Sequence, residues 1–170
     1  MTQILIVYDP RTRSTVELAE ALAGGVAWAG GTPCLRSPNT VTQQELVSAD
    51  GLALGTPNWT GVTGFLKSWL DGQSEIWEKG ALRGKAGAAF ASADAPVAGL
   101  EFTLWSLLHW MLANGMIVVG LPWSDAMRTS GSYYGATVVG KPSEHDLAQS
   151  RELGRRLSLA AQRLSGSEII

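Results

Sequence analysis

Continuous apolar runs of strand length, each followed by a stretch with helical spacing, recur five times along this chain, and few folds accept that order. The first run, Ile4-Leu5-Ile6-Val7-Tyr8, is β-branched and unbroken by charge, as expected of a strand buried on both faces. Residues 9–13 interrupt it. Val16, Leu18, Ala19, Leu22, Ala23 and Val26 then follow with helical spacing, and Ser14 with Glu17 forms a capping-box pattern at the start. The same alternation predicts a weak strand at 33–36 and a short helix at 42–47, then a strand at 50–55 and a helix at 63–70. A strand at 85–91, a helix at 100–113 and a strand at 116–119 come next; a long loop leads to a last helix at 143–164. These units predict a doubly wound α/β sheet of five parallel strands. With 170 residues and no repeat or linker, one domain spanning 1–170 is expected.

Composition removes several classes of function. Hydrophobic residues make up 45% and charged residues 16%, which excludes a disordered chain. Thirteen Lys and Arg against fifteen Asp and Glu give a net charge of −2, so no polyanion-binding surface is expected and nucleic acid is set aside as a partner. The single cysteine, Cys34, makes no internal disulfide, and His109 and His145 lack the spacing of a ligand pair; no metal is expected. The opening MTQILIVYDP has no basic region before its short apolar run and does not read as a signal peptide. The longest apolar stretch, 102–119, is broken by Ser106, His109, Asn114 and Gly115, so no membrane span is read. A soluble protein of the reducing cytoplasm is the expectation.

In open α/β sheets, ligands sit beyond the carboxyl ends of the strands. That points to loops 9–15, 56–64 and 92–100. The first, DPRTRST, opens a helix, where free amides and hydroxyls of Thr12, Ser14 and Thr15 suit a phosphate and Arg11 and Arg13 add charge. The alternative is that Ser14 and Glu17 only cap the helix and the arginines are solvated. The glycines of a dinucleotide fingerprint or of a Walker loop are missing. The second loop, GTPNWTGVTG, offers polar edges at Asn58 and Thr60 and a flat face at Trp59, which suits a planar heteroaromatic ligand; Trp59 as a packing residue is the competing account. In the third, SADAPVAGLE, Asp94 is either a ligand contact or the cap of the next helix, with the cap preferred.

Collinear segments carry a resemblance: ILIVYDPRTRST, SADGLALGTPNWTGVTGFLKSWLD through Trp77, GKAGAAFASA, NGMIVVGLPW, SGSYYGAT and KPSEHDLAQSRELGRRL. The chain resembles the flavodoxin-like superfamily, and within it the tryptophan-repressor-binding-protein type of FMN-dependent NAD(P)H:quinone oxidoreductases. The resemblance implies a five-stranded parallel sheet of order 2-1-3-4-5 with helices on both faces. It implies FMN phosphate at Arg11, Thr12, Arg13, Ser14 and Thr15, and ring contacts from Pro57, Asn58, Trp59, Thr60 and Gly61. The ring's other flank would meet Ser92, Ala93 and Asp94. Tyr134 and Gly135 match a family segment near the site, and Tyr134 is the one candidate proton donor, there being no clear catalytic acid or base.

The implied activity is transfer of hydride from NAD(P)H through flavin to a quinone. Pro10 stands where the family has serine and Arg13 where it has glycine; Pro10 removes a backbone donor. Asn114 stands where quinone-reductase relatives place a histidine near the flavin. Two other functions stay open at this point: a flavodoxin-type single-electron carrier, and a flavodoxin-fold binding or regulatory module without FMN, which Pro10 and Arg13 favour. The helix at 100–113 is apolar almost all round, which predicts a homo-oligomer, dimer or tetramer, with His109 packed or in that contact. His145 and the arginines at 151, 155, 156 and 163 read as surface residues, and Cys34 as structural.

Overall fold

The computed structural model describes residues 1–165. Strand β1 (Gln3–Tyr8) lies between β2 (Thr32–Arg36) and β3 (Gly51–Pro57), and β4 (Ala86–Ala93) follows β3. All pair in parallel, with Leu5 opposite both Cys34 and Leu52. Beyond β4 the sheet departs from the expected five strands. The outer position is shared by two short segments: β5 (Ile117–Val118) pairs with Ala86 and Gly87, and β6 (Ala136–Val139) with residues 90–93. The order is therefore 2-1-3-4-5, as expected, with an added β6 inside the expected loop.

Strand pleating divides the core into two layers. Leu5, Val7, Leu52 and Leu54 face one side, covered by α2 (Gln43–Ser48), α3 (Gly64–Asp71), the unforeseen α4 (Ser74–Glu78) and α5 (Leu100–Ala113). Ile4, Ile6, Ala53 and Phe90 face the other, covered by α1 (Arg13–Trp28) and α6 (Glu144–Leu164). Strands β3 and β4 are buried along their whole length, which is why their runs show no alternation.

Helices α1 and α6 approach to backbone contact. A side chain at Gly25 would run into the main chain of Arg151, and one at Gly154 into that of Leu22. Ser150 Oγ donates to Leu18 O across the same crossing, at 2.7 Å. Ser143 and Asp146 cap α6 reciprocally, as Thr42 and Glu45 cap α2. The expected box at Ser14 and Glu17 is not formed: Thr12 caps α1, and Glu17 pairs with Arg13 instead. Among the described residues no helix is long and apolar enough to cross a membrane.

Candidate functional site

Because the strands are parallel, the segments leaving β1, β3 and β4 emerge at one edge of the sheet. They are held together there. Asn58 N donates to Ser92 O (2.6 Å), and Asp9 N donates to Gly55 O (3.0 Å). A fourth segment joins them, since Gly140, just after β6, donates its N–H to Ala93 O at 2.7 Å. Between these loops lies a shallow cleft open to solvent, lined by Thr12 and Ser14, by Pro57, Asn58 and Trp59, and by Ser92, Ala93 and Asp94.

The cleft has a floor suited to an anion. Thr12 Oγ1 accepts from Thr15 N at the start of α1, and the hydroxyls of Thr12, Thr15 and Ser92 hydrogen-bond to one another. Ser14 Oγ donates to Gly140 O at 2.7 Å. The backbone N–H groups of Thr12, Arg13 and Ser14 meet no acceptor among the described residues. Three free amides at the N-terminus of a 16-residue helix, with hydroxyls beside them, fit a phosphate monoester. Pro10 costs the loop one donor without removing these.

The two arginines do not point into the cleft. Arg13 reaches outward to Glu17 at 2.6 Å. Arg11 folds back on Asp9, with Nε and Nη2 on the two carboxylate oxygens at 2.5–3.0 Å. Asp9 is fully buried; it also accepts from Arg11 N and from Thr63 Oγ1, the cap of α3, at 3.0 and 2.6 Å. Burial works to raise its pKa, but the hydrogen bonds from Arg11 and Thr63 outweigh that and hold it below the ordinary carboxylate range. The Arg11 guanidinium in turn lies 4.4 Å from the Trp59 ring centroid and 5.3 Å from that of Phe65.

Asn58 ties the loop after β3 to the start of α5 and the segment before it. Its Oδ1 accepts from Gly61 N (2.9 Å) and Thr103 Oγ1 (3.0 Å), and its Nδ2 donates to Ala98 O (2.5 Å). The turn beyond it holds Thr60 at φ 58° and Gly61 at φ 112°, which leaves Trp59 half-exposed at the mouth. Asp94 is exposed and lines the cleft. It does not cap α5, whose first turn starts instead from Gly99 in the left-handed region.

Three other residues singled out in the sequence are not among those lining the cleft. Tyr134 packs its ring 5.1 Å from that of Trp105 and does not line the cleft. Asn114 ends α5, and because that helix begins beside the cleft, its 14 residues carry Asn114 roughly 20 Å away. Its Nδ2 donates to Trp110 O. His109 is exposed on α5 and not packed in the core. Sequence reasoning missed Asp9, Thr63, Thr103 and Gly140. Only Asp9 left a trace, as a carboxylate ending an otherwise apolar strand.

A family model described as NADPH-dependent FMN reductase matches residues 14–129. A protein of Archaeoglobus fulgidus named NAD(P)H dehydrogenase (quinone) is 33% identical, in an alignment covering 96% of this chain and all of that one. A protein of Geobacter sulfurreducens with the same name is 32% identical, over 96% and 99%. Among solved structures, a flavodoxin, WrbA-like protein from Agrobacterium tumefaciens superimposes with a TM-score of 0.78 at 21% identity, covering 96% of this chain and 99% of that one; this likeness concerns the fold.

Proposed function

The chain belongs to the NADPH-dependent FMN reductase family, and from that premise we propose that it is a flavoprotein that binds FMN and works as a two-electron NAD(P)H:quinone oxidoreductase. The observation that carries this is the joining, in one cleft, of free helix-start amides with the half-exposed indole of Trp59. FMN, when bound, supplies the redox chemistry, taking hydride from NAD(P)H and passing two electrons to a quinone.

The chain's own part is to bind and orient. The amides of Thr12, Arg13 and Ser14, with the hydroxyl cluster, hold the phosphate. Pro57 to Gly61 form one wall for the ring, and Ser92 to Asp94 the other. Asn58 ties the first of these walls to the start of α5 and the segment before it through Thr103 and Ala98. Asp94 is the one ionisable side chain among the described lining residues. With Tyr134 turned onto Trp105, the proton taken up by a reduced quinone comes from water. Nicotinamide and quinone use the same open side of the cleft in turn, so double-reciprocal plots run parallel. The outer face of α5, with Phe102, Trp105 and Leu112 exposed, supports a homo-oligomer. Cys34, half-buried on β2, suits a reducing cytoplasm.

The test is an absorption spectrum of the purified protein before and after mixing with FMN and desalting, followed by NADH or NADPH and a quinone in the same cuvette. Retained bands near ~375 and ~450 nm that bleach with the nicotinamide and recover with the quinone are expected. A colourless protein that retains no FMN would leave the binding-module function in its place, and intersecting double-reciprocal lines would overturn the shared slot.

A further inference from the structure

Arg11 sits in a loop whose sequence suggests phosphate binding, yet its guanidinium is committed elsewhere. Two of its nitrogens bond the Asp9 carboxylate, which is wholly buried and also held by Thr63 Oγ1 at the start of α3. Drawing Arg11 away would strip a buried carboxylate of its charged partner, so the guanidinium is strongly fixed. Its central carbon lies over the Trp59 ring, 4.4 Å from the centroid, and 5.3 Å from the centroid of Phe65. A cation seated over an indole uses one face of the ring. Trp59, 53% exposed, also lines the cleft beside Thr12, Pro57 and Asn58.

We propose that Arg11 is a positioning residue that backs Trp59, leaving the opposite indole face as the wall on which the flavin ring lies. This rests on the flavin function proposed above. The Asp9–Arg11 pair holds the indole before ligand arrives, so less side-chain freedom is lost on binding. The planar fork is essential to this arrangement. Lysine keeps the charge but has no plane to stack and no fork for the carboxylate.

The experiment measures dissociation constants of FMN and of riboflavin by flavin fluorescence quenching. It compares the wild type with Arg11→Lys, Arg11→Gln, Trp59→Ala and the Arg11→Lys/Trp59→Ala double variant. Arg11→Lys and Arg11→Gln weaken both flavins by the same factor, about three- to tenfold, so the FMN-to-riboflavin ratio stays at the wild-type value and lysine gives no rescue. In the Trp59→Ala background Arg11→Lys adds nothing further, the signature of two residues acting as one unit. A loss confined to FMN, or full rescue by lysine, makes Arg11 a phosphate ligand and overturns the proposal while leaving the flavin function standing. A wild type that binds neither flavin overturns the function and this proposal with it. Should Arg11→Gln not fold, the lysine variants, which retain a cation for Asp9, give the same comparison.

Discussion

Two neighbouring glycines of α1, given the same substitution, are expected to move stability in opposite directions. Gly24 is exposed, and a Cβ there would meet nothing within 4 Å. Alanine at that position gains about 0.5–1 kcal/mol, the ordinary helical preference over glycine. Gly25 would gain the same, but its Cβ would overlap the carbonyl oxygen of Arg151 and lie 2.7 Å from the carbonyl carbon and 3.0 Å from Cα. Those are main-chain atoms of α6 and cannot rotate aside, so the helices must part. Overpacking of this kind costs about 1–3 kcal/mol, and a backbone clash belongs at or above the top of that range. Gly25→Ala is therefore destabilised by about 2 kcal/mol net, and the two variants differ by about 3 kcal/mol. For a chain of this length that separates their thermal midpoints by roughly 6–12 °C. Urea unfolding reads the difference as a shift in midpoint at constant slope. A Gly25→Ala variant as stable as the wild type would refute backbone contact between α1 and α6.

Other perturbations bear on the site. The folded pKa of Asp9 lies below its ordinary value of 3.8, so its contribution is complete above that value and lost as pH falls through the folded one. Asp9→Asn should lower the urea midpoint at pH 7, with the gap closing towards pH 3; a gap constant with pH would contradict the ion pair. Thr60, β-branched at φ 58°, is strained, and Thr60→Gly should gain about 1 kcal/mol after glycine's entropy is counted; a lower thermal midpoint would contradict this. Light scattering after size exclusion should give a mass above the 18.0 kDa of one chain, and Phe102→Lys with Leu112→Lys should reduce it to one chain; a wild type already monomeric at micromolar concentration would refute the α5 contact.

The sheet was legible because β1, β3 and β4 are buried on both faces and their apolar runs are unbroken. Once parallel strands were read, the cleft followed from where their carboxyl ends had to lie. What escaped depended on distant partners. Ser14 and Glu17 have the spacing of a capping box, but Ser14 Oγ bonds Gly140 O, 126 residues away, and no local pattern registers that. Arg11 read as a phosphate ligand or a solvated charge because the burial of Asp9 depends on Thr63, 54 residues on. Segment β6 is four residues long between Gly135 and Gly140, too short for a period to emerge. The helical period of α5 marks apolar positions without saying which face the sheet takes, so it left His109 between the core and a subunit contact, and the structure removes only the core.

The short outer strands also affect how the protein behaves in a crowded solution. An open sheet invites a stray extended chain to add itself along either margin. At one margin Thr32 N donates inward to Thr2 O, so the next nitrogen faces out, and it belongs to Pro33, which has no hydrogen to give. At the other, Ile117 N and Val119 N both donate inward to Lys85 O and Gly87 O. Between them Val118 is left as the single outward donor before the chain turns away, and β6 resumes the margin further along β4. Pro33 on one side and the two-residue β5 on the other thus each shorten the run of hydrogen bonds that an added strand could make.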